Sequence, residues 1–415
     1  MTVSMSEAPD ILSEAHGRDP YSSYRILLED FPVVFHPGTS AWLVSRHEDI
    51  TRVMKSKEMS SEHYAAQIEP VHGRTIIQLE GKEHTMHRRL LAPFFRGNGL
   101  EAFKPTIEEV AESLVARLVD DQDAAVRGAD GRAEVDLSRA FFKPFPITVI
   151  ERMLALPSAD HENFSRWYRD ILGFIGNLAG AAEPIALGLQ ARKELTDYFL
   201  PLIDERRKGT GTDLLTLMCQ AEVDGDHLTR EEVRAFVSLM LVAGGETTDG
   251  ALGNMFMNLI KNPDQLAAVY EDRSLIVDAF AETLRHTPPV HLSARQPLAD
   301  IELGDVTIPA GATIFCMIGA ANRDPRKFAD PERFDIFRTD NDTSRAFSAA
   351  ADHLGFINGR HFCVGAMLAK AEIEIGANAV LDRMTDLRFA DGFVPQEAGL
   401  FTRGLDSLRV TFIPA

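Results

Sequence analysis

The sequence predicts a mainly α-helical protein that also contains small β-sheets. From about residue 83 to residue 290, apolar side chains recur at spacings of three and four, which is the period of an amphipathic helix. Short segments of strand-like composition occur before and after this region. No repeat or low-complexity linker interrupts the chain. We therefore expect a single α+β domain over residues 1–415, with a β-rich portion at roughly 30–60 and a helical body at roughly 83–415 that carries small sheets.

Composition excludes several classes of protein. The 415 residues include 43 lysines and arginines against 62 aspartates and glutamates, which gives a formal net charge of −19. We expect no nucleic-acid partner, because binding to phosphate backbones depends on basic side chains. The longest uncharged stretch, 306–322, contains proline and glycine, so we expect no membrane span. The N-terminus lacks a basic region followed by an apolar core, which predicts a cytoplasmic protein without a secretory signal.

Two pairs of short strands are predicted. Each pair is joined by residues that favour turns, Pro37-Gly38 in the first and Gly304-Asp305 in the second. The strands are Val33–Phe35 with Ala41–Val44, and Ile301–Leu303 with Val306–Ile308. A helix is predicted directly after the first pair.

A long helix with an unusual centre is predicted in the second half of the chain. Thr229 and Glu232 have the spacing of a capping box, and the helix can run to Lys261, about 32 residues in all. Its centre, Ala243–Thr248, contains two glycines, each of which costs on the order of 1 kcal/mol relative to alanine. Two interpretations are open. The glycines make room for a flat or bulky ligand, or they allow close packing of two helices while the neighbouring glutamate is solvated.

Three cysteines are present, Cys219, Cys316 and Cys363, too few and too scattered for a disulfide framework. A small buried thiol is the default interpretation of each. Cys363 differs because a glycine-containing loop precedes it and a helical pattern follows, so it lies at a helix N-terminus, where a thiolate is favoured. Gly365 allows a planar ligand to approach, and Phe356 can screen the sulfur from water. These features suit an axial thiolate for haem iron; the alternative is a reactive or merely buried thiol.

A glutamate and an arginine, Glu282 and Arg285, occupy positions i and i+3 of a helix that ends before Pro288-Pro289. Alone, such a pair is usually a surface salt bridge worth a few tenths of a kcal/mol. The charged segment Asp330–Asp335 follows about forty residues later and, taken alone, would be interpreted as a surface loop.

Together, three motifs resemble those of the cytochrome P450 family. They are the FxxGxHxCxG segment at 356–365, the ExxR segment at 282–285, and the (A/G)Gx(D/E)T(T/S) helix centre at 243–248. Shorter matches at 19–21 and 402–404 look like the soluble bacterial branch, and the resemblance covers nearly the whole chain. It implies the P450 fold, with haem between a long central helix and a loop that supplies a cysteine ligand.

The resemblance also implies roles for individual residues. Glu246 and Thr247 match the catalytic acid–alcohol pair that delivers protons during oxygen activation. Glu282, Arg285 and Arg333 match a structural charge network. The residues that match haem-binding positions are His84, Arg88, Gly244, Arg295, Phe356, His361, Cys363 and Gly365, with Cys363 as the iron ligand and His84, Arg88, Arg295 and His361 at the propionates. The chain departs from the family at Ile357, where most members have a small residue, and at 79–84, which replaces a proline-rich segment.

The implied activity is that of a haem-thiolate monooxygenase with haem b (iron protoporphyrin IX) as cofactor. It would insert one oxygen atom from O2 into a small or medium hydrophobic organic substrate, by hydroxylation or epoxidation. A ferredoxin or flavodoxin with its NAD(P)H reductase would supply electrons, because the chain contains no flavin or iron–sulfur segment. The alternatives are oxidative coupling, nitration or peroxide-driven oxidation by the same type of enzyme, and a non-catalytic haem-binding sensor.

Overall fold

A computed structural model describes residues 8–120, 126–127, 131–177 and 180–415. The α-helices are α1 (Glu14–Arg18), α2 (Pro20–Glu29), α3 (His47–Lys55), α4 (Tyr64–His72), α5 (Gly81–Leu91), α6 (Gly97–Glu101), α7 (Lys104–Asp120), α8 (Pro144–Met153), α9 (His161–Ile175), α10 (Ala182–Arg206), α11 (Leu214–Gln220), α12 (Arg230–Lys261), α13 (Pro263–Glu271), α14 (Leu275–His286), α15 (Ile318–Ala321) and α16 (Ala366–Arg383). Short 3₁₀ helices occupy Ala92–Phe95, Ser158–Asp160 and Gly359–His361, and a π-helical turn occupies Ser138–Phe142.

The strands are short. They are β1 (Val33–His36), β2 (Ala41–Val44), β3 (Met59–Ser60), β4 (Val126–Arg127), β5 (Ala133–Asp136), β6 (Glu222–Val223), β7 (Asp226–His227), β8 (Ser293–Pro297), β9 (Ile301–Leu303), β10 (Val306–Ile308), β11 (Thr313–Cys316), β12 (Met384–Phe389), β13 (Glu397–Ala398), β14 (Gly404–Leu405) and β15 (Arg409–Pro414). The predicted mainly helical architecture with small sheets is therefore confirmed.

The described residues form two compact units. The first unit consists of Met1–Ser60, Ala111–Lys143 and Thr247–Ala415, as far as these ranges are described. The second unit consists of Ser61–Val110 and Pro144–Glu246, with the same restriction. Helix α12 contributes its N-terminal part to the second unit and the rest to the first.

The first unit contains a five-stranded sheet with the order β1-β2-β11-β8-β3. Strands β2 and β11 are parallel and the other neighbours are antiparallel. An apolar cluster that includes Ile50, Leu303 and Ile314 packs against this sheet, because alternate strand side chains point to the same face. The predicted pairs β1–β2 and β9–β10 are both confirmed, with His36 opposite Ala41 at the end of the first.

A second sheet of the first unit was not predicted. Its order is β12-β15-β5-β4, and all neighbours are antiparallel. Strands β4 and β5, and the β6–β7 hairpin of the second unit, lie in the region predicted to be helical. The expectation of small sheets within the helical body covers these strands, but their positions were not predicted, because two- to four-residue strands are too short to give a periodic signal.

The second unit is built on the pair α9–α10. The rings of Phe164, Trp167 and Tyr198 interlock, with centroids 5.2 to 5.7 Å apart in edge-to-face geometry. The carboxylate of Glu194 on α10 accepts from Nε1 of Trp167 at 2.8 Å, which fixes the register of the two helices.

Helix α12 begins and ends where the sequence predicts. The backbone N–H of Thr229 donates to the Glu232 carboxylate at 2.6 Å, and the N–H of Glu232 donates to the Thr229 hydroxyl at 3.2 Å. This reciprocal capping box starts a helix of 32 residues. At 1.5 Å per residue the helix is about 48 Å long.

Candidate functional site

The cysteine loop, Phe356–Gly365, lies directly before α16 in the first unit. The backbone N–H of Cys363 donates to the carbonyl oxygen of Phe356 at 3.1 Å, which closes the loop. Asn358 caps the 3₁₀ turn by accepting from the N–H of Gly359 at 2.8 Å. The cysteine lies three residues before the first residue of α16, so its predicted place beside a helix N-terminus is confirmed.

The cysteine loop is anchored on the chain that runs from the end of α3 to the start of β3. Gly359 has a φ of +74°, and a β-carbon there would overlap the carbonyl oxygen of Met54, so the position requires glycine. The guanidinium of Arg360 donates to the carbonyl oxygens of Ser56 at 3.0 Å and Met59 at 2.8 Å. Backbone contacts from a neighbouring segment therefore set the position of the loop.

Ile357 departs from the family pattern and also adopts an unusual conformation, with a φ of +53°. A β-branched residue rarely occupies this region, which costs an L-residue roughly 1–2 kcal/mol. Its side chain packs against the apolar cluster that contains Met54 and Leu354, and its N–H donates to the Leu354 carbonyl at 2.8 Å. The packing of this partly buried side chain offsets part of the backbone cost.

The three cysteines differ in their surroundings. Burial raises the pKa of Cys219 to about 11 and that of Cys316 to about 12. Both stay protonated thiols that fill the interior, as the default interpretation predicts. Cys363 is partly exposed. Among the described residues, a β-carbon added to Gly365 would meet only Sγ of Cys363, at 3.9 Å, so the space beside the sulfur suits a planar ligand.

Aromatic rings surround Phe356 at the start of the cysteine loop. The rings of Phe280, Phe347, Phe362 and His353 have centroids 6.1 to 6.3 Å from that of Phe356. This cluster gives the beginning of the loop an apolar environment and holds the phenylalanine in place.

The charge network behind the loop is buried, unlike an ordinary surface pair. Nη2 of Arg285 lies 2.7 Å from Oε1 of Glu282, and the two side chains are 0% and 1% exposed. Nε of Arg338 lies 3.0 Å from the same carboxylate. The prediction for Arg333 was wrong, because its side chain is 64% exposed and lies 3.7 Å from Asp335. Arg338, and not Arg333, is the second arginine that pairs with Glu282. No sequence spacing indicates this pairing.

Arg295 provides a test of whether the first unit fits an anionic cofactor. Its buried side chain lies on β8, where Nη1 donates to the hydroxyl of Ser293 at 3.1 Å and to the carbonyl of Ala294 at 2.6 Å. Nη2 finds no acceptor among the residues that the structure describes. A buried guanidinium with a remaining donor is suited to a carboxylate ligand such as a haem propionate.

The other predicted propionate residues are divided between the units. His361 ends the 3₁₀ turn of the cysteine loop in the first unit and is partly buried. His84 and Arg88 lie four residues apart on α5 of the second unit, hence on one helix face. His84 is buried and Arg88 is partly buried. Their role in haem binding stays a prediction.

Close packing against neighbouring helices explains the two glycines at the centre of α12. A β-carbon at Gly244 would lie 2.8 Å from Cδ1 of Ile150 on α8. At Gly245 it would lie 3.2 Å from the ring of Tyr168 and 3.3 Å from Ile147. Close packing of helices, one of the two open interpretations, therefore accounts for the absent side chains. The assignment of Gly244 to the cofactor site stays a prediction.

The acid–alcohol pair, Glu246 and Thr247, lies in the middle of α12, and both side chains are partly buried. The next residue, Thr248, is buried and donates to Oε2 of Glu372 on α16 at 3.3 Å. Glu372 was not among the predicted site residues. Its place among apolar positions of a predicted helix was the available signal, since a lone acid on an apolar face is uncommon.

Comparison with known proteins identifies the family. A family model described as Cytochrome P450 matches residues 21–385. The chain belongs to the cytochrome P450 family. This P450 is 37% identical to pulcherriminic acid synthase of Bacillus subtilis (strain 168) over 97% of each chain. It is 33% identical to the cytochrome P450 monooxygenase PikC of Streptomyces venezuelae, over 91% of this chain and 86% of PikC. The structure of cytochrome P450 CYP109Q5 from Chondromyces apiculatus matches with a TM-score of 0.85 and 29% identity, over 98% of both chains.

These matches confirm the P450 fold and identify the protein as a P450 monooxygenase. Members of the family are haem-thiolate enzymes with a cysteine axial ligand, so haem is the cofactor of this P450. Its bacterial relatives include enzymes of hydroxylation and of biosynthetic oxidation. In the described part of the chain, no helix combines the length and apolar character needed to cross a membrane.

Proposed function

We propose that this P450 inserts one oxygen atom of O2 into a small or medium-sized hydrophobic organic molecule and reduces the other atom to water. The observation that carries the proposal is the cysteine loop. It holds Cys363 beside the start of α16, with open space at Gly365 and an aromatic cluster behind Phe356.

Within this proposal, Cys363 would supply the thiolate that binds the haem iron. When bound, haem with a thiolate ligand supplies the chemistry of O–O cleavage. Arg295, with its buried and incompletely used guanidinium, binds a propionate. His361, His84 and Arg88 supply the remaining hydrogen-bonding and cationic groups for the two carboxylates.

Glu246 and Thr247 move protons in the proposed reaction. A partly buried carboxylate can take a proton from solvent and pass it to a neighbouring hydroxyl, which both donates and accepts hydrogen bonds. An intact acid–alcohol pair supports a reaction that uses O2 and electrons, rather than one driven by peroxide. The electrons come from a ferredoxin or flavodoxin and its NAD(P)H reductase.

The proposed substrate class has two supports. The part of α12 before its centre presents apolar side chains, including Met240 and Val242, as a pocket for a hydrophobic molecule does. In addition, the relative that is 37% identical is named as a synthase, which favours an oxidation in biosynthesis. We propose that the whole chain, 1–415, acts as one catalytic domain.

The ligand assignment is tested by the absorption of the reduced protein with carbon monoxide. We expect the band characteristic of thiolate ligation in the wild type and in Cys219→Ser, and its loss in Cys363→Ser. Cys219 is the matched control because its thiol is buried elsewhere. A thiolate band retained in Cys363→Ser would overturn the assignment.

The reaction itself is tested with labelled O2 after substrates have been screened by shifts of the haem Soret band. We expect one labelled oxygen atom in the product and NAD(P)H oxidation that depends on substrate and on added redox partners. A coupled or nitrated product without labelled oxygen would contradict oxygen insertion. Haem binding without substrate-dependent NAD(P)H oxidation would indicate a sensor.

A further inference from the structure

Arg234 is a buried cation that the proposed function does not use. It lies on α12, in the second unit, and is 2% exposed. Nη2 donates to the carbonyl oxygen of His72 at 2.9 Å, and Nε donates to the carboxylate of Glu231 at 3.1 Å. Nη1 is buried and has no hydrogen-bond partner within the described part of the chain. A buried nitrogen that carries two N–H donors costs free energy unless a ligand or a water accepts from it.

The charge around Arg234 is not balanced by nearby acids. The side chain of Glu231 is 61% exposed, so solvent screens its carboxylate. Arg192 on α10 donates to the carbonyl oxygens of Glu69 at 3.2 Å and Pro70 at 2.9 Å, and no acidic side chain of the described residues pairs with it. Burial lowers the pKa of Arg234, Glu231 acts in the opposite direction, and the charge of Arg192 lowers it further. The interior at Arg234 is therefore a positive region that favours an anion.

The pair formed by His72 and Ser238 adds a donor beside Arg234. Nδ1 of His72 lies 2.8 Å from Oγ of Ser238, and both side chains are buried. Burial, aided by the charge of Arg234, lowers the pKa of His72 to about 3, so the ring is neutral and carries one N–H. The pair has one N–H and one O–H, and the hydrogen bond between its members uses only one of them. The other can donate to a further acceptor.

A single ridge of α12 connects Arg234 to the centre of the helix. Arg234, Ser238, Val242 and Glu246 follow one another at intervals of four residues, and such positions form one row on a helix surface. Val242 is buried and apolar. At 1.5 Å per residue, Glu246 lies roughly 18 Å along the helix from Arg234. An elongated molecule held at Arg234 would therefore place its apolar part beside Val242 and extend towards the acid–alcohol pair.

We propose that Nη1 of Arg234 binds a carboxylate at one end of an otherwise apolar substrate. The inference rests on the proposed function and specifies the polar group of the substrate for the same site. A carboxylate suits the position because its oxygens accept from guanidinium N–H groups and its charge neutralises the buried cation. The remaining donor of the His72–Ser238 pair can serve the second oxygen. Arg234 thus determines specificity and orientation, and no bond forms or breaks there.

The preference for an acid can be measured by calorimetric titration of the wild-type, haem-loaded protein in a chloride-free buffer at neutral pH. The probes are decanoate, an apolar chain with a terminal carboxylate, and decan-1-ol, its neutral analogue. We expect decanoate to bind about tenfold more tightly, because a charge-assisted hydrogen bond replaces a neutral one. Equal affinities would overturn the proposal and show that Nη1 holds only a water or a small ion.

The assignment to Arg234 can be tested with two variants of α12. Arg234→Gln keeps a polar donor but removes the charge, so we expect it to bind the two probes about equally. Arg230→Gln should keep the wild-type preference. Arg230 is the matched control because it lies one turn earlier on the same helix, with an exposed side chain and Nη2 at 2.7 Å from Asp204.

The outcomes separate this proposal from the proposed function. A preference for decanoate that persists in Arg234→Gln would overturn the assignment to this arginine, and the wild-type comparison of the two probes does not depend on the folding of any variant. A missing thiolate band with carbon monoxide, in a protein that still prefers decanoate, would instead indicate failure of the proposed function alone.

Discussion

The guanidinium of Arg285 donates a hydrogen bond to the backbone carbonyl oxygen of Arg333, at 2.9 Å. It also donates to the carbonyls of Asn322 at 3.1 Å and Pro331 at 2.8 Å, in addition to its ion pair with Glu282. The buried cation is thereby surrounded by acceptors, and it ties α14 to two loops. Arg333 contributes to this network through its main chain and not through its charge.

This relationship predicts very different effects for two arginines. Arg285→Ala removes a buried cation and leaves a buried carboxylate, so we expect the free energy of unfolding to fall by about 3–5 kcal/mol. Arg333→Ala keeps the carbonyl and removes only an exposed side chain, so we expect a change within about 0.5 kcal/mol. Denaturant unfolding of the two variants checks the prediction. Equal losses would show that the side chain of Arg333 does belong to the network.

A second prediction concerns the proposed proton path. Thr247→Ala removes the hydroxyl of the acid–alcohol pair, so we expect NAD(P)H consumption to continue while several-fold less product forms and more peroxide is released. Thr247→Ser keeps the hydroxyl and should stay close to the wild type. The measurement compares NAD(P)H consumed, product formed and peroxide released. Unchanged coupling in the alanine variant would argue against the assigned role.

A third prediction concerns the conformation of the cysteine loop. Gly359→Ala would place an alanine in the left-handed backbone region and would make its β-carbon overlap the Met54 carbonyl oxygen. We therefore expect the free energy of unfolding to fall by more than about 2 kcal/mol and the haem content to be reduced. Gly304→Ala is the control, because Gly304 also has a positive φ, +58°, but an added β-carbon meets nothing within 4 Å. The free energy of unfolding of this control variant should fall by about 1 kcal/mol, and the variant should keep its haem. Similar stability of the two variants would contradict the anchoring contact.

A fourth prediction concerns acid stability of the second unit. Burial, aided by the charge of Arg234, lowers the pKa of His72 to about 3, and its Nδ1 lies 2.8 Å from the Ser238 hydroxyl. Below the ordinary pKa of about 6.5, the unfolded histidine binds a proton that the folded one does not. Stability therefore falls as pH decreases from about 6.5 towards 3, by up to about 1.4 kcal/mol per pH unit.

Replacement of the imidazole should remove this dependence. We expect His72→Gln to lose less stability than wild type when denaturant unfolding is compared at neutral pH and at about pH 5. Ser238→Ala, the control, keeps a buried imidazole and should lose as much stability between neutral pH and about pH 5 as the wild type does. An identical pH dependence in His72→Gln and the wild type would refute the assignment to this histidine.

The sequence predicted the features that local chemistry determines. The capping box at Thr229 and Glu232 specifies the start of α12, and Pro263 explains why α12 ends at Lys261. Gly304 supplies the positive φ that the β9–β10 turn requires. Each of these signals lies within a few residues of the structure that it determines.

Features that depend on distant residues were missed or misassigned. Nothing near Arg333 or Arg338 shows which of them is buried, because that depends on contact with Glu282 on a separate helix. The hydrogen bond between Thr248 and Glu372 likewise joins residues that are 124 apart in sequence. For the same reason, a motif could identify Cys363 as the candidate ligand but could not give the conformation of Ile357 in the same loop.

The sheet that contains β5 and β15 has a consequence for biosynthesis of the chain. The N–H of Leu408, just before β15, donates to Asp136 at the end of β5, although the two residues are 272 apart in sequence. At 5–20 residues per second, a ribosome needs roughly 15 to 55 s to translate the intervening chain. During that interval β5 can pair with β4 on one edge, while its other edge lacks its partner β15. We expect nascent chains arrested before β15 to be the forms that most need chaperone protection.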